Sequence, residues 1–150
     1  ALMDEGDVPY RRQKLYQKSL DAKADIYLLM LGTNDAKDYQ WDALAYAKEI
    51  KDFVAAYQTA APQAKIYLMQ PPRAFPAMED GSIKYGIQDE VIGGQMYEII
   101  ADAAEQMGVG YIDLYRLTQD HSEWLADGIH PNAEGNKAIA DYIYECIEKQ

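Results

Sequence analysis

Between Asp25 and Gly32 the chain reads Ile-Tyr-Leu-Leu-Met-Leu, apolar at odd and even positions alike. A strand with one wet face would alternate. A short run without alternation, ended by a turn residue, predicts a strand covered on both faces in a parallel sheet. Lys65-Ile66-Tyr67-Leu68-Met69-Gln70 repeats the pattern and is halted by Pro71-Pro72, and Val109 to Leu114 is a third, weaker version.

The stretches between these runs carry a helical period. Leu44, Ala47, Ile50, Phe53, Val54 and Tyr57 mark the inner stripe of a helix from about Trp41 to about Thr59, closed before Pro62. From Ile87 to Met107 a second stripe predicts one helix ended by Gly108. A last helix starts at Asn132, a good N-cap, and turns Ala138, Ile139, Tyr142, Ile143 and Cys146 inward. A shorter helix is expected within Arg11 to Leu20. Strands alternating with crossover helices predict an α/β fold, a parallel sheet with helices on both sides. The longest irregular piece, Pro71 to Gly86, falls beside strand ends, where such folds bind ligands.

With 150 residues, 49% hydrophobic and 26% charged, the chain has the composition of one globular domain, residues 1–150. Its net charge of −11 argues against a nucleic-acid surface, which needs clustered Lys and Arg. The single cysteine, Cys146, lies in step with the apolar face of the last helix and reads as packing. No run is long enough to span a membrane, and the first residues lack the pattern of a signal peptide. The compartment stays open: a chain without disulfides fits the cytoplasm and export alike. Because the first residue is Ala1, a mature or cut form is expected.

Two loops hold small polar residues where functional groups belong: Gly32-Thr33-Asn34-Asp35 after the first run, and Asp127-Gly128-Ile129-His130-Pro131 before the last helix. A carboxylate on one ring nitrogen of His130 would fix its tautomer and leave the other nitrogen to take a proton from a hydroxyl. An amide such as Asn34 could donate to an oxyanion. Plain alternatives stand beside both: a solvated salt bridge for Asp127 and His130, and local turn-forming for Asn34 and Asp35. A hard-metal site built from Asp35, Asp127 and His130 lacks clustered ligand spacing. His121 reads as an exposed loop histidine. Arg73 is either a residue of the cleft mouth or a plain surface arginine.

"GTND" after an apolar strand and "DGIHPN" before a capped helix resemble two of the sequence blocks of the SGNH, or GDSL-type, esterases and acylhydrolases. The resemblance covers essentially the whole chain. It implies a three-layer, flavodoxin-like parallel sheet and acyl transfer to serine, then to water. It makes His130 the general base, Asp127 its carboxylate partner, Asn34 an oxyanion-hole donor and Gly32 the glycine of the tight turn, and it implies no cofactor and no metal.

The family also uses a serine on its first strand and a glycine from a second block, and neither block is visible. Ser19, Ser82 and Ser122 are the only serines, and none follows a buried strand. The chain therefore resembles a family member lacking its first strand and its nucleophile, nearly inert alone. In the family's strand order the lost strand would flank Ile26–Leu31, leaving an apolar edge. A homodimer, a strand-swapped assembly or a retained N-terminal fragment is expected there.

The substrate implied is a small-molecule or carbohydrate ester, an O-acetylated sugar above all. A non-catalytic α/β binding module derived from the family is the second reading. A flavodoxin-like nucleotide binder ranks last, because neither phosphate-loop signature is present.

Overall fold

A computed structural model describes residues 1–149. In chain order its elements are α1 (Lys14–Asp21), β1 (Ile26–Leu29), α2 (Ala43–Ala60), β2 (Lys65–Gln70), α3 (Asp89–Ile92), α4 (Gln95–Met107), β3 (Gly110–Asp113), α5 (Leu114–Thr118) and α6 (Ala133–Glu148). The strands form a parallel sheet in the order β1-β2-β3, with Ile26 opposite Lys65 and Tyr67 opposite Gly110. Parallel neighbours need a crossover. Helix α2 supplies the first, and α3 with α4 the second.

Alternation along each strand divides the core into two layers around the sheet. Tyr27, Leu29, Ile66 and Leu68 point to one side and join Phe53 and Tyr57 of α2 and Met96 and Ile100 of α4 in the main core. Tyr67, Met69 and Ile112 point to the other and meet Ile139, Tyr142, Ile143 and Ile147 of α6. The result is helix, sheet, helix, as the strand–helix alternation predicts. Buried side chains of this size each contribute roughly 1.5–3 kcal/mol. No helix among the described residues is long and apolar enough to cross a membrane.

The expectation that the first apolar run is covered on both faces is corrected. β1 alternates between exposed and buried, and Ile26, Leu28 and Met30 are 42%, 41% and 42% exposed. Its paired edge faces β2, and the cover that α6 gives the outer face falls on β2 and β3.

Helix ends follow their caps. Asp42 accepts the backbone N–H groups of Leu44 and Ala45 at the start of α2, and Asn132 accepts Gly135 N–H at 2.9 Å at the start of α6. Gly108 ends α4 in the left-handed conformation, φ 65°. The single helix expected over Ile87–Met107 is two, broken at Gly93-Gly94. A Cβ on Gly93 would lie 2.3 Å from the Tyr115 hydroxyl oxygen, so the break makes room for that ring, which donates to Asp89 at 2.9 Å.

One buried bond links the core to the end of β1. Tyr46, fully buried on α2, donates its hydroxyl to the carbonyl of Leu31 at 2.7 Å, and burial pushes its ionisation well above the usual tyrosine range. Tyr46→Phe leaves that carbonyl unpaired and should cost about 1–1.5 kcal/mol, measured by urea unfolding; an unchanged midpoint would show that the bond contributes nothing net.

Candidate active site

The loops after β1 and β2 and the loop before α6 meet at the C-terminal ends of the strands. There they enclose a cleft of about 360 Å³ lined by Thr33, Asn34, Pro72, Tyr85, Ile129, His130 and Asn136 among others. A hollow of about 390 Å³ at the other end of β2 and β3 is lined by Gln58, Pro62, Lys65 and Gly108, and none of the site residues read from the sequence borders it.

Asp127 organises the histidine locally. One carboxylate oxygen accepts the backbone N–H groups of Ile129 at 3.1 Å and His130 at 2.8 Å, which folds the loop back on itself. The other oxygen lies 2.9 Å from His130 Nδ1. These bonds, the His130 backbone bond first and its side-chain bond second, hold the Asp127 carboxyl well below the usual carboxylate range, so it is ionised at neutral pH. With Nδ1–H donated to the carboxylate, Nε2 is left as the acceptor. The His130 side chain is 71% exposed, open to the cleft. Lys84 Nζ stands 3.7 Å from the same Asp127 oxygen that takes the ring.

Asn34 sits on a turn closed by Asp35 and Ala36 N–H groups donating to the Gly32 carbonyl at 2.8 and 3.0 Å. Gln40 donates to the Asn34 carbonyl, and the Asn34 side-chain amide has no partner among the described residues. Gly32 adopts φ 154°, and a Cβ there would lie 2.7 Å from Met96 Sδ and 2.9 Å from the Tyr46 hydroxyl. The turn that presents Asn34 is thus wedged against α2 and α4.

Three residues take places the sequence did not disclose. Asp35 is not an exposed turn-former: it is fully buried and accepts the backbone N–H groups of Leu2 and Met3 at 2.8–3.0 Å. Burial raises its pKa, and those backbone bonds oppose the rise. Arg73 is drawn away from the cleft, bonded to Asp89 at 3.1 Å and to the Gln119 carbonyl at 3.2 Å. Tyr85 lines the cleft in the left-handed conformation, φ 62°, ψ 19°, which costs a bulky residue about 1–3 kcal/mol. A tyrosine next to a glycine was the only cue to it in the sequence. His121 bonds Glu123 at 2.8 Å and stacks on Trp124, outside the cleft lining.

None of the three serines lines the cleft. Ser19 Oγ bonds the Tyr16 carbonyl and Tyr57, Ser82 Oγ donates to Asp80, and Ser122 opens a short 3-10 turn. The arrangement therefore brings an imidazole with its carboxylate and an amide without a partner among the described residues to one space, and no serine borders it.

Residues 6–138 match the sequence model of the GDSL-like lipase/acylhydrolase family. The chain is 31% identical over 169 residues to an acetylxylan esterase of Xylanibacter ruminicola, covering 99% of the chain and 34% of that protein. It is 27% identical over 114 residues to the isoamyl acetate-hydrolyzing esterase 1 homolog of Homo sapiens, covering 70% of the chain and 46% of that protein. The chain thus spans less than half the length of these two relatives. A solved lipase/acylhydrolase from Enterococcus faecalis shares the fold, with a TM-score of 0.74 at 18% identity over 91% of this chain and 67% of that one.

Gly32→Ala tests the wedge beneath Asn34. It should lower unfolding stability by about 1–3 kcal/mol, since Met96 and Tyr46 must both yield; a neutral result by urea unfolding would mean that the turn is loose.

Proposed function

The chain belongs to the GDSL-like lipase/acylhydrolase family, and from that membership and the cleft we propose that the protein hydrolyses carboxylic esters by acyl transfer to a serine. The observation that carries the proposal is the meeting of the Asp127–His130 pair and the Asn34 amide on one cleft. His130 Nε2 takes the proton of the serine hydroxyl as it attacks the ester carbonyl, and the Asn34 amide donates to the oxyanion that forms. His130 then returns the proton to the departing alcohol. A water repeats the sequence on the acyl-enzyme and releases the acid. Asp127 stays ionised throughout and stabilises the imidazolium.

We assign the nucleophile to a serine outside these 150 residues, because Ser19, Ser82 and Ser122 all stand away from the cleft. The substrate we favour is an acetyl ester of a carbohydrate. The name of the Xylanibacter ruminicola relative supports the sugar, and the names of both relatives support a short acyl group. That no serine lines the cleft also favours the second reading, a binding module that holds such a ligand without cleaving it.

The same reading extends to assembly. Among the described residues the outer edge of β1 is unpaired and its outer face is apolar, so we assign to Ile26–Leu31 the pairing surface for a further strand, contributed by a second copy or by an N-terminal fragment.

Two measurements test this reading. In the ester-hydrolysing protein, His130→Ala should abolish acetate release from p-nitrophenyl acetate, and Asn34→Ala should lower kcat about 10²- to 10³-fold; unchanged rates would remove both assignments. Light scattering of the 150-residue chain should give the mass of a dimer, twice 17.0 kDa, or of the chain with a retained peptide. A bare monomer would reject the pairing surface.

A further inference from the structure

Tyr85 carries a cost without a visible return. It is left-handed in backbone, 63% exposed, and its ring and hydroxyl have no partner among the described residues. A turn needed only for chain reversal would be served better by glycine or asparagine. Gly86 beside it is also left-handed, φ 67°, so the two residues together set the direction of the tyrosine ring.

The turn that bears the ring is pinned on both sides. On one side Lys84 reaches Asp127 at 3.7 Å, the carboxylate that holds His130. On the other, the Gly86 carbonyl accepts Asp38 N–H at 3.0 Å, and Gln88 N–H donates to Ala36 at 2.9 Å, in the loop that begins with Asn34. Buried Ile87 anchors the base of the turn. The backbone that bears the ring is therefore held in register with both the base and the amide donor. Loops that merely cover a surface do not need such registration.

The chemistry of the cleft narrows what the ring meets. Ile129 and Pro72 give apolar surface, and Thr33 and Asn136 give polar groups at the same opening. An aromatic face beside hydrogen-bonding groups matches a sugar ring, which has an apolar C–H face and a hydroxyl rim. The ester favoured above says which part that ring belongs to. Its acyl group is acetyl, which carries no ring. The group leaning on Tyr85 is then the alcohol part, not the acyl part.

We propose that Tyr85 is the platform for a pyranose ring of the alcohol portion of the substrate, held against the Asp127–His130 pair by Lys84 and Gly86. This rests on the esterase reading and adds the residue that selects a carbohydrate alcohol over a simple one.

Two variants separate the ring from the backbone. Tyr85→Asn keeps a residue that tolerates the left-handed conformation and removes the platform, and Tyr85→Phe keeps the platform and removes the hydroxyl. Calorimetry on the 150-residue chain with unacetylated xylotetraose reads binding without any reaction. Wild type and Tyr85→Phe should bind alike, and Tyr85→Asn about tenfold more weakly, the scale of one aromatic contact. In the ester-hydrolysing protein Tyr85→Asn should raise KM for acetylated xylo-oligosaccharide about tenfold with little change in kcat, and Tyr85→Phe, which keeps the ring, should hold KM within about twofold of wild type.

Equal binding by wild type and Tyr85→Asn would overturn the proposal. So would an equal loss in Tyr85→Phe and Tyr85→Asn, which would mean that the ring is not what the sugar meets, and so would a wild type that cleaves p-nitrophenyl acetate but does not bind xylotetraose. A wild type that binds xylotetraose through Tyr85 but cleaves no ester would sink the esterase reading and leave the platform standing.

Discussion

The Asp127 carboxylate is the point on which the site depends. It draws two backbone N–H groups, one imidazole nitrogen and one ammonium toward itself within a loop of a few residues. An ionised carboxylate with several donors gains charge-assisted bonds that a neutral acceptor would not. The same bonds that fold the loop also orient the ring of His130, so local structure and chemistry share one cause. Gly128, between them at φ 84°, accepts Phe75 N–H at 2.8 Å and ties this loop to the one after β2.

The sheet does the remaining work by position alone. Because β1 and β2 are parallel, their C-terminal ends lie side by side, and the chain leaving each turns toward the same opening. Tyr46, reaching from α2 to the Leu31 carbonyl, and Gly32, packed against Met96, fix the first of these exits. Asp35 adds a tie of another kind, holding the backbone of Leu2 and Met3 against the turn beside Asn34. Fold stability and the placing of the amide donor thus draw on the same few contacts.

What the sequence disclosed followed the range of the interaction. The strand over Lys65–Gln70 was legible because its apolar run and its stop at Pro71-Pro72 are both local, and the structure has the same bounds. The start of α6 was legible from Asn132, whose cap bond spans three residues. β3 was read one residue too far at each end, because Asp113 caps α5 and Leu114 already belongs to that five-residue helix. The break at Gly93-Gly94 was hidden because its cause, the ring of Tyr115, is distant in sequence. The pairing of Asp127 with His130 spans three residues and was legible. The burial of Asp35 against Leu2 and Met3, over thirty residues away, was not. Nor does any pattern of residue types announce the sign of φ at Tyr85.

The central claim is that the Asn34 amide and the His130 ring face one tetrahedral centre. Methylphosphonate has the shape and negative charge of that centre and needs no nucleophile to bind. An NMR titration following the Asn34 side-chain amide and the His130 ring should show both moving along one isotherm, with Gln58 at the opposite end of the sheet unmoved. If one of the pair responds without the other, the two do not serve one site and the account fails.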